Sequence, residues 1–156
     1  MLARAVLCVA PIVALIGPAT GAAHASEFYD ISNGTNLCLD ADSNHYGQNG
    51  DNAQLWGCND HSEQAWVLYN GHIYNSNGMC LDADSNHYGQ NGDNAQLWSC
   101  NNNPEQLWSH SGNGHVVNHN GMCLDADSNH AGQNGDNVQL WSCNSNEEQS
   151  WNFLEA

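Results

Sequence analysis

The chain has 156 residues and a formal net charge of −16, with 17 Asp and Glu against a single Lys or Arg. That length suits one domain and not two. The lone cation is Arg4, so nothing after it can face nucleic-acid phosphates or be drawn to anionic lipid.

The first predicted element differs in kind from the rest. Met1–Arg4 is a short positive start, Ala5–Ile16 is apolar, and Gly17–Ala25 is small-residue rich and ends Ala23-His24-Ala25. This is the build of a secretory signal peptide with an A-x-A cleavage site. It is too short to span a bilayer, and no second apolar stretch follows it. Residues 1–25 are therefore expected to be removed, which leaves a secreted, extracellular domain at 26–156. Arg4 and Cys8 leave with the leader, and every Asp and Glu stays, since all lie at or after Glu27.

From there the sequence repeats three times, over about 27–70, 71–112 and 113–156. Cys38–Cys58, Cys80–Cys100 and Cys123–Cys143 enclose almost identical segments: the first two differ only at Gly57/Ser99, the last two only at Tyr88/Ala131 and Ala95/Val138. Each is followed by a short echo, Glu63-Gln64-Ala65-Trp66, Glu105-Gln106-Leu107-Trp108 and Glu148-Gln149-Ser150-Trp151. The six cysteines form three pairs of equal spacing, so the repetition singles out the disulfides Cys38–Cys58, Cys80–Cys100 and Cys123–Cys143. A loop of this size contributes about 3 kcal/mol. Zinc would want short cysteine spacings in one cluster, and none occur.

Within the first repeat the β-type runs are Phe28–Ser32, Leu37–Asp42, Ala53–Cys58 and Ala65–Tyr69, bounded by turn residues. Asn33-Gly34, Asn77-Gly78 and Asn120-Gly121 suit tight turns before the first cysteine of each repeat. Four strands taken three times predict an all-β unit of twelve short strands about a pseudo-threefold axis. One repeat alone is too small to bury a core.

Strand alternation divides these residues between two faces. If Cys38 faces Cys58 in an antiparallel pair, Asp40 faces Trp56 and Asp42 faces Gln54, across a loop over Ser43–Ala53. Leu37, Leu39, Ala41 and Leu55 then point to the core, while Asp40, Gln54 and Trp56 stand on the outer face, as do Asp82, Gln96, Trp98 and Asp125, Gln139, Trp141. A tryptophan ring offers a flat apolar platform to the C–H face of a sugar. A carboxylate accepts from its hydroxyls, and an amide can do both. Trp66, Trp108 and Trp151 have apolar neighbours and are read as core.

The ordered motifs Cys-Leu-Asp, Gln-Leu-Trp-x-Cys and Gln-x-Trp, three times over, closely resemble the ricin B-type lectins and the related trefoil carbohydrate-binding modules. The resemblance covers essentially all of 26–156. It implies a β-trefoil with up to one sugar site per repeat, for galactose-type or xylan-type glycans, and no catalysis. It assigns hydroxyl binding to Asp40, Asp82 and Asp125, stacking to Trp56, Trp98 and Trp141, and a supporting amide to Gln54, Gln96 and Gln139. It makes Gln64, Gln106 and Gln149 the groups that steady the aspartates. One departure is plain: where the family often has an Asn amide, this chain has Glu63, Glu105 and Glu148, which cannot donate when ionised.

The expected partners are therefore mono- or polysaccharides and glycoconjugates, bound by a monomer with no cofactor, no metal, no nucleic acid and no membrane insertion. Tyr46 and Tyr88 are expected to border the first two sites, with Ala131 in their place in the third. Asp40-x-Asp42-x-Asn44, with Asp51 at the twelfth place, faintly resembles a calcium loop but lacks the glycine at the sixth; a polar hairpin loop is the simpler reading. His45, His87 and His130 read as loop residues, and Asn33-Gly34-Thr35 matches a glycosylation sequon. Two rival functions are a glycoside hydrolase, with Asp40 and Glu63 as its acid pair, and a trefoil that binds proteins, such as an inhibitor. Neither explains three copies of one constellation.

Overall fold

The computed structural model describes residues 27–130 and 132–155; the leader expected at 1–25 lies outside them. The first repeat contributes β1 (Tyr29–Asn33), β2 (Cys38–Ala41), β3 (Asp51–Trp56) and β4 (Trp66–Tyr69). The second contributes β5 (His72–Asn75), β6 (Cys80–Ala83), β7 (Asp93–Trp98) and β8 (Trp108–His110). The third contributes β9 (Val116–Asn118), β10 (Cys123–Ala126), β11 (Asp136–Trp141) and β12 (Trp151–Glu155).

Six of these strands close a barrel. β12 pairs β1, β1 touches β4, β4 pairs β5, and β8 pairs β9. Trp108 N to Gly71 O (2.7 Å) and Trp151 N to Gly114 O (2.9 Å) join the remaining neighbours. The other six strands are three hairpins, β2–β3, β6–β7 and β10–β11. They meet about the axis, because β3, β7 and β11 each pair with both others. On that axis Asn52, Asn94 and Asn137 close a ring of amide hydrogen bonds: Asn94 donates to Asn52 (3.0 Å), Asn52 to Asn137 (3.1 Å) and Asn137 to Asn94 (3.1 Å). The arrangement is a β-trefoil.

The core follows the alternation. Leu39, Leu55, Leu81, Leu97, Leu124 and Leu140 are fully buried, as are Trp66 and Trp151, with Trp108 nearly so. A buried indole N–H needs an acceptor, and each core tryptophan finds the main chain of its own repeat: Leu39 O at 2.8 Å, Leu81 O at 2.9 Å and Leu124 O at 2.9 Å. The three disulfides form as the repetition predicts, with Cα–Cα distances of 5.1, 5.1 and 5.0 Å.

The hairpin register differs from the expected one by two residues. Cys38 pairs with Trp56, Asp40 with Gln54 and Ala41 with Ala53. The strand ends at Trp56, and Cys58 lies beyond it, so the disulfide bridges a strand to the chain just past its partner. The shift is an even number, so no side chain changes face. The return strand starts earlier than expected, at Asp51. A short 3-10 turn, Ser62–Gln64, which the β-type reading did not foresee, precedes β4.

The turn before the first cysteine also differs in repeat one. Gly78 and Gly121 take left-handed φ values of 84° and 85°, but the residue in the matching position is Asn36 (φ 66°), not Gly34. Gly34 has another reason to be glycine: a Cβ there would lie 2.6 Å from Glu147 O. Asn33 is buried and donates to Glu148 O at 2.9 Å, so the sequon amide is structural.

Candidate functional site

Each site begins with an aspartate on a hairpin strand. Asp40, Asp82 and Asp125 are 6–7% exposed on the outer face of β2, β6 and β10. Both oxygens of each carboxylate receive an amide N–H. Gln54, Gln96 and Gln139, opposite in register, donate to Oδ1 at 3.0 Å in all three. Gln64, Gln106 and Gln149 donate to Oδ2 at 3.0, 2.9 and 2.8 Å.

The second set of glutamines is wholly buried. Gln64 Nε2 also donates to Gly57 O (3.1 Å) and its Oε1 accepts Asn59 N (3.0 Å); the other repeats repeat the pattern. The 3-10 turn places these amides. They aim the carboxylates and pin the chain after the second cysteine, and they have no face left for a ligand. Gln54, Gln96 and Gln139 are half-buried and lie in the site itself.

The tryptophans complete the geometry. Trp56, Trp98 and Trp141 are 40%, 39% and 38% exposed, a high value for indole in a chain whose other three are buried. Each is supported by the loop of a different repeat. A Cβ on Gly50 would lie 3.8 Å from Trp98, one on Gly92 3.8 Å from Trp141, and one on Gly135 3.9 Å from Trp56. Beside each glycine an asparagine caps the neighbouring chain: Asn49 accepts Ser99 N (2.7 Å), Asn91 accepts Ser142 N (2.8 Å) and Asn134 accepts Gly57 N (2.8 Å).

The result is three open clefts of about 340, 260 and 240 Å³ in repeats one, two and three. Glu63, Glu105 and Glu148 line them, with the Asp, Gln and Trp of each hairpin. Residues the sequence does not assign to the sugar sites also line them: Asp42-Ser43-Asn44 and its copies, and Asn59, Asn101 and Asn144. Asn59, Asn101 and Asn144 each follow a second cysteine in identical position, a signal the sequence did carry. The first cleft has His61 where the others have Asn103 and Asn146.

Electrostatically the clefts are acceptors. Burial raises the pKa of Asp40, Asp82 and Asp125; the two amide bonds pull each down, and Glu63, Glu105 or Glu148 beside them pushes each up again, with a net rise. A carboxylate fixed at the floor, a glutamate at the rim and an indole wall can take a ring with hydroxyls on one edge and C–H groups on a face.

Tyr46 and Tyr88 are not cleft walls. Tyr46 Oη donates to Asn75 Oδ1 (3.0 Å), and Tyr88 Oη to Asn118 Oδ1 (3.0 Å), so each clamps its loop to the following repeat. His45, His87 and His130 are exposed loop residues. Among the described residues, the one cluster of three His, Cys, Asp or Glu donors close enough together for a metal is His115, Cys123 and Cys143, and those two cysteines are bonded to each other in the third disulfide. No helix among the described residues is long and apolar enough to cross a membrane.

Residues 27–151 match the family model of the ricin-type beta-trefoil lectin domain. The fold is similar to the designed threefold-symmetric protein ThreeFoil (TM-score 0.74, 21% identity, covering 83% of this chain and 99% of that one). It is also similar to the agglutinin from Abrus precatorius (0.71, 25%, covering 81% and 48%). A third likeness is the C-half of the earthworm R-type lectin in complex with GalNAc (0.71, 17%, covering 83% and 99%). Among curated proteins, none matches the sequence closely enough to count as a relative. With the family match spanning most of the chain, and with paired cysteines, buried Gln-x-Trp residues and a threefold barrel in the structure, the chain belongs to the ricin-type β-trefoil lectins and is a carbohydrate-binding protein.

Proposed function

We propose that this is a secreted lectin with three working sites, at Asp40/Trp56, Asp82/Trp98 and Asp125/Trp141, that binds galactose-type or xylan-type glycans without cleaving them. One observation carries the reading: in every repeat a buried aspartate is held by two glutamine amides beside an exposed tryptophan. A core does not need such an arrangement, and a hydrolase does not need it three times. The earthworm lectin of similar fold is bound to GalNAc, which supports the galactose-type ligand. Glu63, Glu105 and Glu148 favour a sugar that presents a hydroxyl donor to the rim.

Each site is open and contacts one or two rings, so single-site affinity is modest. Once one site is engaged on a polysaccharide, the others bind at high effective concentration, and avidity gains about 10²-fold or more. The test uses single, double and triple Asp→Ala variants at Asp40, Asp82 and Asp125, with folding checked by circular dichroism. Calorimetry with galactose and with xylobiose should show stoichiometry falling by one per substitution at nearly constant affinity. Retention on the immobilised polysaccharide should fall steeply at the second loss. A single substitution that abolishes all binding would mean one working site.

A further inference from the structure

The clefts are lopsided in the groups they offer to a ligand. Each is lined by three carboxylates: Asp40, Asp42 and Glu63 in repeat one, Asp82, Asp84 and Glu105 in repeat two, Asp125, Asp127 and Glu148 in repeat three. The hairpin register brings them there. Asp42 lies two residues past Asp40 and its N still donates to Asn52 O at 2.9 Å, so the alternation that sends Asp40 outward sends Asp42 the same way. Glu63 precedes Gln64, whose amide is bound to Asp40. Asp51, Asp93 and Asp136 are different. They open β3, β7 and β11 on the core-facing side, are 0–1% exposed, and have no hydrogen-bond partner for either oxygen among the described residues. Burial pushes these three up to about 6, and they do not line the clefts.

The donors beside these carboxylates are largely turned inward. Gln54, Gln96 and Gln139 each give an N–H to the aspartate opposite. Asn44 Nδ2 donates to Asp42 Oδ1 at 2.7 Å, and Asn86 and Asn129 make the same bond at 2.7 and 2.6 Å. Asn101 and Asn144 turn theirs to Ser99 O and Ser142 O, at 3.4 Å each. Each of these amides thereby commits one of its two N–H groups to the protein, and the oxygens of three carboxylates outnumber the donors that remain. Charge has the same bias. The chain's one Lys or Arg is Arg4, and His61 in the first cleft is the one lining side chain of any cleft able to carry positive charge. The field over each cleft is therefore negative. Beside it stands the exposed indole of Trp56, Trp98 or Trp141, whose face attracts cations as well as C–H groups.

A sugar hydroxyl brings one donor and no charge. A protonated primary amine brings three donors, no acceptor and the positive charge the cleft lacks, and its bonds to carboxylates are charge-assisted. We propose that the three clefts select sugars with a free, protonated amine, hexosamines such as galactosamine and polymers of them, over neutral and N-acetylated sugars. The inference rests on the sugar-site reading above and adds the class of ligand. N-acetylation removes the charge and leaves a single N–H, so the state of that nitrogen is what the clefts discriminate.

Calorimetry at about pH 7, below the range near 8 of an α-type amine, compares galactosamine, galactose and N-acetylgalactosamine. At low salt galactosamine should bind about three- to tenfold tighter than either, with a stoichiometry of up to three, and in about 0.5 M NaCl the advantage should shrink to less than about twofold. The triple Asp→Ala variant at Asp40, Asp82 and Asp125 should lose this binding, and methylamine should not compete for it; equal competition by methylamine would mean diffuse attraction to an acidic surface and overturn the proposal. The triple Glu→Gln variant at Glu63, Glu105 and Glu148 should bring the ratio of galactosamine to galactose affinity towards one. Should circular dichroism show that it does not fold, the triple Asp→Asn variant at Asp42, Asp84 and Asp127 should do the same. An unchanged ratio in a folded variant would overturn the proposal. Equal affinity for galactosamine and galactose at low salt, or binding of xylobiose with none of the three hexoses bound, would overturn it and leave the lectin reading standing. No binding of any of these sugars, xylobiose included, would overturn both.

Discussion

Acid should stabilise the protein. A carboxyl near 6 in the folded chain and at its ordinary 3.8 in the unfolded one binds more protons folded than unfolded between those values. Stability therefore rises as pH falls through about 6, is complete below 3.8, and is lost again as pH climbs past 6. At pH 5, against pH 7.5, each of Asp51, Asp93 and Asp136 contributes about 1.4 kcal/mol, and the three about 4 kcal/mol as a ceiling. Asp40, Asp82 and Asp125 are shifted in the same direction. For a domain of this size 1 kcal/mol moves the midpoint by about 4 °C, so the rise should be on the order of 10 °C. Differential scanning calorimetry at the two pH values measures it. The triple Asp→Asn variant at the three buried positions is the control, and its pH response should be much flatter. A wild-type midpoint that is flat or falls from pH 7.5 to 5, or a triple variant with the full response, would refute the reasoning.

Trp98→Ala should remove the platform of the second site and weaken sugar binding there by about 1 kcal/mol or more, roughly tenfold, with the other two sites unchanged in calorimetry. Gln106→Leu should leave Asp82 and the main chain at 99–101 without their partner. The expected cost is about 1–3 kcal/mol in urea melts, together with loss of one sugar equivalent. Ala131→Tyr adds to the third loop the hydroxyl that Tyr46 and Tyr88 give to Asn75 and Asn118. By the same repeat pattern it should stabilise by about 1 kcal/mol, read as a higher thermal midpoint. Moderate NaCl should raise the midpoint of the protein by screening its 17 carboxylates; a flat response from low salt would show that they are too dispersed to repel.

Much of this structure was legible because the sequence states it three times. Leu39 and Leu55 against Asp40 and Trp56 fixed the two faces of the hairpin by parity alone, and parity survives an even register error. The register itself was not legible. Placing Cys38 opposite Cys58 assumed that a disulfide marks a strand pair, whereas the chain leaves the strand at Trp56 and Gln64 pins Gly57 O and Asn59 N beyond it. The tyrosines were misplaced for a related reason: a loop residue's partners depend on which repeat the loop leans against. Asp51 was hidden most completely. In the sequence it is one polar residue in a polar loop, and only alternation from Leu55 and Ala53, extended two residues past the expected start of the strand, puts it inside.

The leaning of each loop has a topological consequence. Repeat one supports the tryptophan of repeat two, repeat two that of repeat three, and repeat three that of repeat one, through Asn49-Gly50, Asn91-Gly92 and Asn134-Gly135. The contacts run head to tail and close after three steps. Such an interface does not require that its members share a chain, since heterologous contacts whose rotation closes form a ring of fixed size. A single repeat, some 42 residues long, therefore carries both halves of its own assembly rule. Expressed alone it should gather as a homotrimer and regenerate three whole sites, while a two-repeat fragment leaves one donor loop and one acceptor tryptophan facing solvent and should gather into larger, open-ended species.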